Sequence, residues 1–374
     1  MGEYVKSYFI TRDRQTIECD IIEDTPKRRF IQITDKSNPL FEKKVRVHPR
    51  GVAYGQIYPR IFESDYPLTS DDFFEYKGRL LLRNREPHEL TPKVEETYVF
   101  QPITSQLIDS ILCSDKMLIT GEAGTGKTSH IEQIAARINQ PVIRINLNGE
   151  SRIGDFLGKI HVEGGRTFWK DGVLPTAMKS GYWLILDEID MAEPNILSLL
   201  HPVLEDEGRL VLKEDDGEVV RPHPEFRIFG TANSIGSMQS KADAYAGTST
   251  MNEAFLDRWH ILEMPSMLEK VEVKVIASKV PHLRKRSVRN IVKFANLIRE
   301  GADSEVQTTL TFSTRRCLQW AQKMALYRDA LKSAESVFLY KVSKEEKQWV
   351  IETIKTVFAS KRKKTKEKEE PEGE

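Results

Sequence analysis

Residues 116–128 of this chain, KMLITGEAGTGKT, decide its fold. The stretch begins with a short apolar run, 116–121, which is typical of a buried parallel strand. The run leads into the pattern G-x-x-x-x-G-K-T, and the pattern leads into an apolar periodicity from Lys127 to Ile138 that predicts a helix. A strand, a glycine-rich turn and a helix in this order predict a phosphate-binding loop in an α/β domain.

The residue types of the loop suit a bound polyphosphate. Glycines let the backbone wrap closely with its N–H groups pointing inward, and a helix N-terminus attracts negative charge. We expect Lys127 to reach the β- and γ-phosphates and the Thr128 hydroxyl to ligate Mg²⁺. The cofactors predicted are therefore ATP and Mg²⁺. The residues predicted to bind nucleotide are Gly121, Glu122, Ala123, Gly124, Thr125, Gly126, Lys127, Thr128 and Ser129.

A second apolar run, YWLILDE, ends in two adjacent carboxylates, Asp187 and Glu188. Ligands of open α/β sheets bind at the carboxyl ends of the strands. We predict that Asp187 holds Mg²⁺ through water and that Glu188 orients the attacking water, with Asp190 as a helix-capping or supporting carboxylate. A helix cap or a surface pair is the alternative for such a dipeptide.

Three further residues are predicted to be catalytic. Asn233 ends the strand-like run FRIFGTAN, where its amide can hold the attacking water, although asparagine also favours turns. Arg258, in NEAFLDRW, is a candidate arginine finger for a neighbouring subunit, or else a helix C-terminal cation. In LTFSTRRCLQW, Arg315 and Arg316 begin a predicted helix, where positive charge opposes the helix dipole. This conflict favours a functional role for Arg315, facing the phosphates.

Composition and apolar periodicity divide the chain into four parts. Residues 1–95 contain short β-rich runs and predict a small N-terminal β-domain. Residues 96–265 alternate strand and helix, which predicts a parallel sheet covered by helices. Residues 266–359 have helical periodicity and predict a lid, and residues 360–374 form a charged tail that we expect to be disordered.

Two insertions interrupt the predicted α/β core. The first contains IHVEGGRTFW, where Gly164-Gly165 predicts a hairpin turn. The second contains RLVLKEDDGEVVR, with a turn at DDG. Long insertions in compact domains are commonly functional, and a solvated hairpin without a role is the alternative.

The composition limits the cellular compartment and the classes of partner that we expect. Lys and Arg together number 56, as do Asp and Glu, so the chain lacks an overall basic field for nucleic acid. Apolar runs are too short to span a bilayer, and we expect a cytoplasmic protein without a membrane partner. Neither the three cysteines nor three histidines considered as ligands have metal-ligand spacing, and scattered cysteines fit a reducing compartment. These residues are Cys19, Cys113, Cys317, His161, His201 and His223.

Together these motifs resemble the AAA+ ATPases, within them the MoxR-related group, and most of all the small ATPase subunit of cobaltochelatase. The similarity extends over about 116–265, through GEAGTGKT, INLNGESRIGDFLGK, FWKDGVLPTAMKSG, LILDEID, RPHPEFRIFGTAN and NEAFLDRW. It continues more weakly to about 359, where STR matches the group's second-sensor arginine at Arg315. The resemblance implies a ring, usually a hexamer, with nucleotide bound between subunits. It also implies a partner with a von Willebrand factor A-type domain, and insertions that face the pore or that partner. Residues 1–95 lie outside the resemblance.

Three functions fit these observations to different degrees. The first is an ATP-driven motor that remodels a protein partner. The second is a nucleic-acid-translocating motor of a restriction, defence or mobile-element system, in which Lys159, Arg166 and Lys170 contact phosphates. The third is an assembly platform that hydrolyses little ATP, which the full set of catalytic residues argues against. We favour the first.

Overall fold

The structure is a computed structural model that describes most of the chain. The described residues are 6–10, 16–25, 28–34, 36, 42, 44–47, 52–53, 56–57, 60–64, 69–148, 151–233, 251–301 and 310–359. They fall into two compact units: the first contains those up to Glu96, 100–122 and 126–265, and the second contains 97–99, 123–125 and those from Ser266 onward. The predicted charged tail, 360–374, lies outside the described residues, and the predicted division of the chain into four parts stays a prediction.

The N-terminal part of the first unit is an antiparallel sheet. Its strands are β1 (Lys6–Ile10), β2 (Thr16–Thr25), β3 (Arg28–Ile33), β4 (Lys44–Val47) and β7 (Arg60–Ser64), in the order β4-β3-β2-β1-β7, and β5 (Val52–Ala53) pairs with β6 (Gln56–Ile57). Cys19 on β2 lies opposite Ile33 on β3, and both side chains are buried. Successive strands of β1–β4 are neighbours in the sheet, because each antiparallel pair needs only a short connection.

A separate hairpin packs against the α/β core. The hairpin comprises β8 (Phe73–Tyr76) and β9 (Arg79–Leu82). Two helices of the core follow it in the chain, α1 (Thr104–Cys113) and α2 (Lys127–Arg137). Leu81 is buried in one cluster with Leu107 and Ile108 of α1. Arg79 donates two hydrogen bonds to the Asp109 carboxylate, at 2.8 and 2.7 Å. Residues 73–82 therefore contribute to the core although they precede the predicted boundary near residue 95.

Five parallel strands form the central sheet and confirm the predicted α/β fold. They are β10 (Met117–Thr120), β11 (Val142–Asn146), β14 (Trp183–Asp187), β17 (Arg227–Ala232) and β18 (His260–Glu263), in the order β11-β14-β17-β10-β18. Every residue of β10 and β14 is buried, as a sheet covered on both faces requires. The carboxyl ends of β10, β14 and β17 meet at one edge, where the site lies.

Helices cover the two faces of this sheet. One apolar cluster contains side chains of α1 and α2, and the other contains side chains of α4 (Val173–Ser180) and α5 (Pro194–Leu204). The short helices α3 (Ile153–Leu157) and α6 (Glu253–Leu256) complete the helices described in this unit. A face of each longer helix is apolar and packs on the sheet, which explains the alternation seen in the sequence.

A hairpin is present in each insertion. The strands β12 (Gly158–Glu163) and β13 (Arg166–Asp171) are joined by Gly164 and Gly165, whose φ angles of 58° and 75° are those of a tight hairpin turn. The strands β15 (Leu210–Leu212) and β16 (Glu218–Val220) form the second hairpin. Both hairpins expose aliphatic side chains to solvent: Ile160, Val162, Val211 and Val219.

The second unit is helical where it is described. Its helices are α7 (Glu269–Lys279), α8 (Lys285–Gly301), α9 (Thr314–Tyr327), α10 (Ala330–Val337) and α11 (Lys344–Phe358). Its core is aromatic, with Trp320 in edge contact with Phe294 and Phe338. Ser313 and Asp329 cap α9 and α10 by accepting hydrogen bonds from backbone N–H groups. Within the described part of the chain, no helix is long and apolar enough to cross a membrane.

Candidate nucleotide-binding site

The glycine-rich loop between β10 and α2 has a backbone that only glycine adopts easily. Gly121, Gly124 and Gly126 have φ angles of 143°, 78° and 96°. A Cβ atom built on Gly121 would lie 2.4 Å from the carbonyl oxygen of Met264, so no side chain fits there. The helix α2 begins directly after Gly126, so the positive end of its dipole lies at the glycine-rich loop.

The Lys127 ammonium group is nearly buried within this loop. Its Nζ donates to the carbonyl oxygens of Gly121, at 2.6 Å, and Glu122, at 3.1 Å. It also donates to Oδ1 of Asn233, at 3.0 Å. The structure thus brings Lys127 and Asn233 together, although 106 positions separate them in sequence.

The Asp187 carboxylate accepts hydrogen bonds on both oxygens. Thr128 donates to its Oδ1 at 2.7 Å, and Thr231 donates to the same oxygen. Arg144 donates to Oδ2 from Nε, at 3.0 Å, and from Nη2. Burial raises the pKa of Asp187, but the hydrogen bonds from Thr231, Thr128 and Arg144 outweigh burial and hold the pKa below its ordinary value. Asp187 is therefore ionised at neutral pH.

Glu188 follows Asp187 in a left-handed backbone conformation, with φ 58° and ψ 46°. This conformation is uncommon for a residue other than glycine and often marks a functional position. Its N–H donates to Oγ1 of Thr231 at 3.2 Å, and its side chain is exposed. Asp190 is buried and accepts a hydrogen bond from the backbone N–H of Asn233 at 2.9 Å, which joins the ends of β14 and β17.

Two residues of this site, Thr231 and Arg144, were not predicted. Thr231 is 1% exposed and links Asp187 to the Glu188 backbone. The sequence does contain a signal for Thr231, because it is a polar residue next to the end of a buried apolar run. Arg144 lies at an exposed position of β11, and no sequence motif marks it as a site residue. The contact between Arg144 and Asp187 depends on the order of the strands in the sheet.

The predicted arginine finger, Arg258, makes its contacts away from the loop. Its Nε and Nη2 both bind Oε1 of Glu205, at 2.8 and 2.7 Å, and Nη1 donates to the carbonyl of Ala254. Among the described residues its hydrogen bonds go only to these two groups. The side chain is 30% exposed, so it is accessible from outside the chain.

Arg315 lies in the second unit, in the first turn of α9, and its side chain is exposed. The turn is held in place by its neighbour Thr314, which donates to the buried Glu272 at 2.8 Å. Arg316 instead binds the carbonyl of Thr311 and lies over the ring of Phe312. Of the two arginines, Arg315 is thus the one whose side chain stays in solvent.

The oxygen donors present fit Mg²⁺. Thr128 Oγ1 and Asp187 Oδ1 lie 2.7 Å apart at the loop end of α2. A hydroxyl and an ionised carboxylate are hard ligands of the kind that Mg²⁺ binds, usually with retained water.

The strand order, the phosphate loop and the acidic end of β14 define a P-loop ATPase domain of the AAA type. Comparison with known proteins agrees: the AAA domain of the dynein-related subfamily matches residues 116–258. The aerobic cobaltochelatase subunit CobS of Sinorhizobium is 33% identical over 278 residues, which are 71% of this chain and 82% of CobS. The chain therefore belongs to the AAA ATPase family that includes CobS, which confirms the resemblance predicted from the motifs.

Much longer relatives share the same region. Midasin of Dictyostelium discoideum is 29% identical over 277 residues, 70% of this chain and 4% of midasin. Midasin of Giardia intestinalis is 37% identical over 171 residues, 45% of this chain and 3% of that protein. The chain thus corresponds to a small part of each midasin.

Proposed function

We propose that this protein hydrolyses ATP at the interfaces of a homo-oligomeric ring, a hexamer, and uses the energy to remodel a protein partner. The observation that carries the proposal is the convergence of four predicted residues at one edge of the sheet: Lys127, Thr128, Asp187 and Asn233. Membership of an ATPase family supports the same chemistry.

The role of each residue follows from its contacts. Lys127 now uses backbone and amide oxygens as acceptors, and β- and γ-phosphate oxygens would replace them. Thr128 and Asp187 would hold Mg²⁺, which neutralises charge on the phosphates when it is bound. Glu188, exposed beside Asp187, would orient and polarise the attacking water, and Asn233 would fix its position.

In the proposed ring a neighbouring subunit can supply positive charge to the nucleotide. Negative charge develops on the γ-phosphoryl oxygens during transfer and needs a cation in addition to Lys127. Arg258 is accessible and is paired with the exposed Glu205, so it can leave that pair for the nucleotide of a neighbouring subunit. Arg315 is the second candidate cation, because its side chain is exposed at the start of α9.

The partner we propose is a protein with a von Willebrand factor A-type domain, bound in the cytoplasm. CobS is by its name one subunit of a chelatase, which supports a partner for this chain as well. The exposed aliphatic pairs of the hairpins, at Val211 with Val219 and at Ile160 with Val162, offer apolar area for such a contact.

The test is purification of the chain with and without Mg²⁺-ATP, followed by mass measurement and ATPase assays on Lys127→Ala and Glu188→Gln. We expect a nucleotide-dependent ring, no nucleotide binding in Lys127→Ala, and binding without turnover in Glu188→Gln. Undiminished ATP affinity of Lys127→Ala would contradict the phosphate-loop assignment. Parental turnover in Glu188→Gln would assign the base to another residue.

A nucleic-acid motor is the second candidate, and one observation favours it. Lys159 and Lys170 lie directly opposite each other on the first hairpin, so two positive charges are close together there, although Lys159 also contacts Asp155. Stimulation of the ATPase by DNA or RNA, lost in Lys170→Gln, would support this function. Stimulation by the protein partner alone would support remodelling.

A further inference from the structure

Arg144 is the one positively charged side chain that the described residues place on the Asp187 carboxylate. It lies on β11, one of the two edge strands of the parallel sheet. Its Nε and Nη2 bind Oδ2 of Asp187, and its Nη1 is 3.4 Å from the Glu132 carboxylate on α2. The arginine side chain is 47% exposed, whereas the Asp187 side chain is 10% exposed.

The Asp187 carboxylate has no free position for a metal-bound water. A carboxylate offers about four lone-pair sites. Two hydroxyl donors, from Thr128 and Thr231, share Oδ1, and two guanidinium nitrogens share Oδ2. One donor has to leave before such a water can bind. Thr231 is buried in the sheet and Thr128 would itself hold the metal, but Arg144 has solvent on one side and can swing away.

The local charge also depends on Arg144. Asp187 carries a negative charge beside the Thr128 hydroxyl, Glu132 on α2 carries a second one, and Arg144 contacts both carboxylates. Without a counter-ion, such carboxylates attract a divalent cation even when no nucleotide is present. With Arg144 in place, these three side chains together carry one net negative charge.

We propose that Arg144 is an internal counter-ion that keeps free divalent cations away from Asp187, so that the metal enters the site together with a nucleotide. The phosphates of the nucleotide bring the additional negative charge that a free ion lacks. This inference rests on the proposed function, because it takes Asp187 as the metal-binding carboxylate. Arg144 is a positioning residue here, since it acts through Asp187.

The test measures Mn²⁺ binding to the nucleotide-free full chain by electron paramagnetic resonance. We expect Arg144→Gln to bind Mn²⁺ on the order of tenfold more tightly than the parent, because a unit charge beside a divalent ion is removed. Arg144→Lys, which keeps the charge, stays near the parent. Lys159→Gln is the matched control: it removes one positive charge from an exposed pair with Asp155 elsewhere in the same unit and leaves Mn²⁺ affinity unchanged.

A double variant locates the ion. Asp187→Asn combined with Arg144→Gln is expected to lose the added affinity, because the carboxylate is gone. Parental or weaker Mn²⁺ binding in Arg144→Gln overturns the proposal, as does added affinity that survives Asp187→Asn. Should Arg144→Gln fold poorly, Arg144→Met carries the same expectation.

The proposed function fails separately from this inference. Binding of a fluorescent ATP analogue to the parent without metal tests the phosphate loop by itself. A parent that binds no nucleotide contradicts the proposed function, while the Mn²⁺ titration of Arg144→Gln still decides the role of Arg144.

Discussion

Two arginine–carboxylate pairs of similar geometry differ in their access to solvent. In the first unit Arg144 binds Asp187, and 47% of the arginine side chain is exposed. In the second unit Arg299 grips Glu272 with both terminal nitrogens, at 2.8 and 2.9 Å, and Glu272 is fully buried. Removing one member of a buried pair leaves a charge without compensation, whereas an exposed pair is screened by water. The first pair can therefore exchange partners during a reaction cycle, and the second holds α7, α8 and α9 together.

In a third pair, Arg258 with Glu205, the arginine is partly exposed, as Arg144 is in the first. Substitution of Arg258 is expected to have the largest effect on ATP hydrolysis. If its arginine is an arginine finger, Arg258→Ala binds ATP almost normally but hydrolyses it about a thousandfold more slowly. Mixing it with Glu188→Gln subunits restores partial activity, because some interfaces then join an intact Glu188 to an intact Arg258. ATPase rates over a series of mixing ratios measure this effect.

Action within one chain predicts no rescue in that mixture. Mixed rings that are shown to co-assemble and yet stay inactive would contradict the assignment in trans. They would favour Arg315 or Arg316 as the main source of positive charge.

Breaking the buried pair is expected to lower stability. Glu272→Gln leaves Arg299 beside a neutral amide in an interior position, which destabilises the protein by about 3 kcal/mol. Arg144→Gln costs less, about 1 kcal/mol, because the Asp187 carboxylate, although only 10% exposed, keeps the hydrogen bonds from Thr128 and Thr231. Urea unfolding of both variants measures the difference, and equal losses would show that exposure does not distinguish the two pairs.

A buried histidine on α2 sharpens the comparison through the dependence of stability on pH. His130 on α2 is 1% exposed and lies 2.5 Å from the Thr104 hydroxyl, and burial lowers its pKa to about 4. In the unfolded chain the pKa returns to 6.5, so the unfolded state binds the proton first as the pH falls. Stability contributed by this group is therefore lost as the pH falls from 6.5 to about 4, by up to about 3 kcal/mol.

The measurement is the free energy of unfolding at pH 7 and at pH 4, in the parent and in His130→Gln. The variant is expected to lose less stability over this range, because it has no group to protonate at that position. A parallel fall in both proteins would assign the pH dependence to other residues.

How far sequence predicts this molecule depends on how local each interaction is. The phosphate loop was readable because strand, glycines, Lys127 and helix are contiguous. The strand ends at Asp187 and Asn233 were readable because each closes an apolar run. The contacts of Arg144 and Thr231 with Asp187 depend on β14 lying between β11 and β17, which no local pattern states. Glu272 and Arg299, 27 positions apart on two helices, gave no signal either.

The smallest expected effect comes from an exposed pair that links two surface elements. Lys179 on α4 donates to Asp171 at the end of the first hairpin and to Glu218 in the second, at 2.8 Å each. These two carboxylates lie close to each other and to Asp215, within 4.8 Å. Lys179→Met removes the ammonium group between them, and because the group is 35% exposed, stability changes by less than about 1 kcal/mol.

The remaining carboxylates then repel one another, so the second hairpin is expected to open more often. Hydrogen exchange at the backbone amides of residues 210–220 should rise severalfold in Lys179→Met, and the rise should shrink at high salt because the repulsion is screened. Lys159→Met is the control, since its pair with Asp155 joins neighbouring residues and not two hairpins. Unchanged exchange in Lys179→Met would mean that packing of Leu210, Leu212 and Val220 alone holds this hairpin. A loss of several kcal/mol would instead place Lys179 with the buried pair, and exposure would then fail as the property that separates exchangeable from structural ion pairs.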